Sequence, residues 1–150
     1  MAANLFFLAF LAFSFAGNFF SSTIAFAQNI EVPYKVAQGY FIKNTVKDAE
    51  VVKILTQEQF DRYFGPAYMN GGSVPTEIDF KKHMVIAVLC GTMNQLIELN
   101  PVSLKKDKGG NLHFTYKKAN TVKISYTASP FLIIVADKAH DGKLKAVEQK

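Results

Sequence analysis

Two apolar periods alternate along this chain. Within 111–117, Leu112, Phe114 and Tyr116 alternate with Asn111, His113, Thr115 and Lys117, the period of two that sends every second side chain to one face of a half-buried strand. Within 57–64, Phe60, Tyr63 and Phe64 fall instead on one face of a helix. The flanking residues agree with a helix. Thr56 can cap it, Gln59 can reach back to the cap, and Leu55 stands where a hydrophobic staple would meet Phe60. Gly65-Pro66 would stop it, a left-handed residue followed by a ring that cannot continue the turn. One short helix over about 57–64 is predicted.

Two segments abandon alternation. Residues 84–90, which end at the only cysteine, and 131–137, "FLIIVAD", are apolar on both faces. A strand tolerates this only when both sides are covered, so each is expected to be central. Shorter extended segments are predicted at 38–44 and 50–55, and a longer one at 95–104, where Pro101 implies an edge position or a bulge. The polar turn "KKDKGGN" joins it to 111–117 as a hairpin. Residues 121–126 are expected to pair with 131–137 across "TASP", and the tail "KAHDGKLKAVEQK" to form a polar turn and a ragged end. Many strands and one helix leave too few crossovers for a parallel doubly wound sheet. The expected fold is α+β: a β-rich antiparallel sandwich or partly open barrel with one short helix.

Between helix and central strand, 65–79 makes an unusually long connection rich in turn formers. Tyr68, Met69 and Asn70, beside Gly71-Gly72, are the candidate partner-binding residues; the alternative is that this loop folds back over the core.

Residues 1–29 carry no charged side chain, and eight of the fourteen phenylalanines crowd there. Ser21, Ser22 and Thr23 then soften the run, and Ala25-Phe26-Ala27 offers the small-x-small pattern that fits a signal peptidase. A signal peptide over 1–27, cleaved after Ala27, and a single domain over 28–150 follow as the expected organisation. The n-region lacks the usual Lys or Arg. An uncleaved anchor is the alternative, since the apolar stretch is long enough to cross about 30 Å of hydrocarbon. The implied location is periplasmic or secreted.

The formal charge is +5, and sixteen of the seventeen basic residues are lysines, with Arg62 the exception. Readers of nucleic acid draw on arginine for bidentate contacts, which argues against a nucleic-acid partner. Lysine is what sheet proteins place on exposed strand edges; the other reading of the pairs at 81–82, 105–106 and 117–118 is weak contact with an anionic envelope surface.

Cys90 is the obvious nucleophile, with His83, His113 and His140 as bases. After six apolar residues on a strand, however, it is expected to be a buried small hydrophobe. The histidines lie tens of residues apart and lack metal-ligand spacing. Glu77 with Asp79, and Asp137 with Asp141, could hold calcium weakly, but read better as turn and cap residues. Gly71-Gly72 and Gly109-Gly110 form no phosphate-cradling pattern. No catalytic, cofactor-binding or metal-binding residue is assigned, and no enzyme is expected.

Thr56 to Phe60 after a strand, Pro75, Ile78-Asp79-Phe80 before the run Met84-Val85-Ile86-Ala87-Val88 and Gly91, and finally Thr127-Ala-Ser-Pro130-Phe131 before Leu132-Ile-Ile-Val135 form a motif set. The set resembles the C-terminal domain of the PrcB family, an accessory subunit of a secreted protease complex, over about 51–138. Family members often carry a Gly-Gly-Tyr-like segment after the central strand, where this chain has Gly91-Thr-Met-Asn-Gln-Leu96. The resemblance implies an exported, non-enzymatic module associated with another protein. The expected role is thus an accessory or interaction domain using loop and sheet-edge surfaces. The alternative is a small-ligand or envelope-surface binding β protein with its ligand between the sheets or in a barrel mouth.

Overall fold

The computed structural model describes residues 29–68 and 74–150. The expected signal segment and the anchor alternative lie outside them. The described elements run β1 Ile30–Glu31, β2 Tyr34–Val36, β3 Tyr40–Ile42, β4 Ala49–Ile54, α1 Gln57–Tyr63, β5 Phe64–Pro66, β6 His83–Cys90, β7 Met93–Lys106, β8 Leu112–Ala128, β9 Phe131–Asp137 and β10 Leu144–Gln149. A 3-10 turn at Lys138–His140 precedes the last strand.

Two open sheets result, ordered β1-β7-β8-β10 and β2-β9-β6-β4, with a small β3-β5 pair beside them. The fold is a β-rich α+β sandwich. Its layers explain the apolar runs. Met84, Ile86 and Val88 of β6 and Leu132, Ile134 and Ala136 of β9 face Leu104, Leu112, Phe114 and Tyr116 of the other sheet. The alternate residues Val85, Ala87, Leu89, Ile133 and Val135 face outward and are covered by Phe60 of α1, Phe64 of β5, and Tyr40, Ile78 and Phe80. Both strands are therefore covered on both faces, as their composition predicts.

Helix α1 ends differently from expectation. Thr56 Oγ1 accepts from Gln59 N–H at 3.2 Å, and Gln59 Oε1 accepts from Leu55 N–H at 2.9 Å, so the capping box forms one residue wider than the usual pattern. No staple forms, because Leu55 packs with the cluster between the sheets while Phe60 belongs to the outer one. Gly65 is not left-handed. Phe64 leaves the helix in an extended conformation and enters β5, which pairs with β3. What Gly65 supplies is room: a Cβ there would lie 2.5 Å from Phe41 Cζ.

Three further expectations are corrected. Residues 121–126 do not pair with β9; they are the far end of the seventeen-residue β8 and pair with β7. The tail is not ragged, since β10 lies parallel to the first part of β8, Leu144 opposite Leu112. It is the one parallel pairing among the described strands, and its mostly exposed residues carry little apolar signal. Strands β1, β2 and β5, of two or three residues, were below what periodicity can resolve. At Pro101 the expected irregularity is present: Pro101 faces Tyr116 and Ser103 faces Thr115, leaving Val102 as the extra residue.

Candidate functional site

The chemistry-bearing residues are separated by the fold. Cys90 and His83 stand at opposite ends of β6, roughly 23 Å apart at the rise of a strand. His140 follows β9 at the His83 end, in the turn whose Lys138 N–H donates to Lys82 O at 2.8 Å. His113 Nε2 lies 2.8 Å from Asp107 Oδ2 at the β7–β8 turn. Cys90 is 7% exposed. Burial pushes its thiol up from the ordinary range; the Lys118 charge pulls it down less strongly, and Glu148 adds to the rise. A thiol held protonated is a poor nucleophile.

Three of the four carboxylates considered for calcium are engaged within the protein. Asp79 Oδ1 accepts from Lys81 N–H at 2.9 Å, and Asp137 Oδ1 caps the 3-10 turn at Ala139 N–H, 2.8 Å away. Asp141 pairs with Lys53. Among the described residues no three His, Cys, Asp or Glu side chains come together to hold a metal ion.

Of the candidate partner-binding residues, Tyr68 is 80% exposed, and Met69 and Asn70 lie outside the described residues. Tyr68 borders an aromatic cleft of about 510 Å³ with Tyr40, Phe60, Phe64 and Pro75. Tyr40 and Phe60 meet edge to face at 5.0 Å, and the Tyr40 hydroxyl donates to Thr76 O at 2.5 Å. The second half of the long loop folds back: Thr76 N–H donates to Gln38 O at 2.9 Å, and Ile78 and Phe80 join the outer core.

A second open surface is one that sequence patterning did not single out. The distal halves of β7 and β8 form a two-stranded arm. On one side β1 meets β7 only at Lys105 and Lys106, and on the other β10 meets β8 only from Leu112 to Lys117. Residues 93–99 pair with 118–123 and Ala128, with 124–127 standing opposite Asn94 alone, and neither stretch pairs with a further strand among those described. No side chain in either stretch is buried. Leu96 stands opposite Val122; beyond Lys123 the register breaks, and Met93 next pairs with Ala128. Leu96 is 43%, Val122 55% and Tyr126 59% exposed.

A bulge shapes the arm. Leu96 faces Val122 but Glu98 faces Ala119, and Asn120, within the extra stretch, takes φ +48, a conformation asparagine tolerates better than most side chains. The Glu98 carboxylate accepts from Asn120 Nδ2 and, at 3.1 Å, from Asn100 Nδ2. These two bonds, Asn120 first, lower its pKa. At the end nearer the β7–β8 turn, Lys118 Nζ meets Glu148 Oε2 at 2.8 Å. Residues 121–126 were visible as a strand signal. What no local pattern records is that no described strand lies across its apolar side chains.

No family model, curated protein or solved structure matches the chain. Among the described residues no helix is long and apolar enough to cross a membrane.

Proposed function

We propose that this chain is an exported, non-enzymatic accessory domain that binds another exported protein through the β7–β8 arm. The observation that carries this reading is the arm itself, two strands open along both edges and bearing Leu96, Val122 and Tyr126 in the open. Free N–H and C=O groups along 118–127 can take up an extended segment as an added strand, while the apolar face supplies contact area. Two-stranded ribbons are marginal alone, so an added strand would also steady the arm. Lys123, on the open segment, favours a partner segment carrying acidic residues. The resemblance to the PrcB C-terminal domain supports the same class of partner, a secreted protease or another envelope protein. A ligand between the sheets is supported less well: Met84, Ile86, Leu104, Leu112 and Phe114, which meet there, are each at most 1% exposed.

A photo-crosslinking side chain at Tyr126 in the producing cell, with the same label at Val147 on β10 as control, tests the proposal. The expected result is one protein adduct specific to Tyr126. The purified partner should then slow hydrogen exchange of the 121–127 amides. Equal labelling from both positions, or a bound partner that leaves those amides unprotected, would defeat it.

A further inference from the structure

At the root of the arm, where β6 turns into β7 and β8 into β9, the surface dips into a half-open cleft of about 360 Å³. Three stretches distant in sequence build its wall: Lys43, Asn44 and Lys47 between β3 and β4, Thr92 at the first corner, and Thr127 and Ser129 at the second. All six side chains can donate hydrogen bonds, and none is a carboxylate. Ile42 and Val46 complete the lining.

The free charge there is that of Lys47. Lys43 lines the cleft, but its Nζ donates to the main-chain carbonyl of Asp61 on α1. Lys47 makes no ion pair among the described residues. Thr92 Oγ1 and Ser129 Oγ stand 3.4 Å apart, so the two corners bring hydroxyls side by side. Backbone contact holds the parts together. Gly91 takes φ +71, a Cβ on it would lie 2.8 Å from Lys47 O, and Thr92 N–H donates to that same carbonyl at 3.3 Å.

The Lys47 ammonium, three hydroxyls and an amide around one concavity suit a compact oxyanion with several acceptor oxygens. A carboxylate, with two oxygens, uses this set poorly; a phosphate uses it well. We infer that the cleft binds a phosphate group, carried either by a small phosphomonoester or by an anionic phospholipid headgroup. The volume leaves room for a small organic portion beside the phosphate. The inference does not depend on the arm's protein partner.

The test is amide NMR on the purified chain at constant ionic strength. Three probes are titrated: inorganic phosphate, glycerol 3-phosphate, and phosphatidylglycerol vesicles with phosphatidylcholine vesicles as control. Saturable shifts at Lys47, Gly91, Thr92 and Ser129 are expected. Lys47→Gln, and separately Thr127→Val, should weaken binding, the former about tenfold, while Lys81→Gln, far from the cleft in the fold, leaves it unchanged. Saturation by the soluble probes assigns a free ester; response to phosphatidylglycerol alone assigns a headgroup. Absence of saturable shifts with all three, or equal weakening by Lys47→Gln and Lys81→Gln, overturns the inference.

Discussion

The two halves of β8 obey the same rule of alternation and meet different surroundings. In the first, Leu112 and Phe114 are fully buried and Tyr116 is 8% exposed, because β6 and β9 of the facing sheet lie across from them. In the second, Val122 and Tyr126 keep more than half of their surface in solvent although their spacing is the same. Alternation specifies two faces; the presence of a second layer decides whether the apolar one is a core or a contact surface. The body and the arm should therefore answer differently to the same kind of change.

The largest contrast is in side-chain truncation within the body. Phe114→Ala should lower stability by about 3–5 kcal/mol in urea unfolding, the usual cost of deleting a buried ring. A loss below about 1 kcal/mol would mean that the layer facing the first half of β8 is not what holds it. The joint between body and arm comes next. Gly91→Ala combines a left-handed φ with a Cβ 2.8 Å from Lys47 O, and should cost about 1–3 kcal/mol, read from the same urea midpoint. No loss would show that the corner relaxes freely.

Smaller again is the response of the opposite turn to acid. The His113 hydrogen bond first, then those from Asn111, hold the Asp107 carboxyl below the usual aspartate range. A pKa lowered on folding contributes stability that is complete above the unfolded value of about 3.9 and is lost as pH falls toward the lowered one. Asp107→Asn should flatten the decline of the urea midpoint between about pH 5 and pH 2; an unchanged slope would remove Asp107 from the acid response. The smallest effect belongs to the arm. Tyr126→Ala should change stability by no more than about 0.5 kcal/mol while abolishing the crosslinked partner's binding. A loss comparable to that of Phe114→Ala would show Tyr126 to be packed, and the distinction between the two halves would collapse.

Some of this architecture is written locally. Thr56 and Gln59 mark the start of α1 by hydrogen bonds that span three or four residues, and the two-faced runs in β6 and β9 identify central strands because no half-exposed strand could carry them. Other elements carry no comparable mark. β10 is an exposed edge whose six residues are held by the backbone of β8, and backbone hydrogen bonding leaves no trace in side-chain pattern. Residues 118–120 read as a break between two strands because Lys, Ala and Asn lack apolar signal, yet β8 runs through them on a bulge.

The sequence by itself determined that Cys90 would end a covered strand, that one capped helix would interrupt a β-rich domain, and that apolar and polar residues would alternate through 112–116. Those are short-range facts of composition and spacing. Only the tertiary structure decided that Leu96, Val122 and Tyr126 would stand uncovered and that Lys47, Thr92 and Ser129 would share one cleft. Layer stacking and corner geometry bring together, or leave apart, residues tens of positions distant, and no local periodicity encodes that separation.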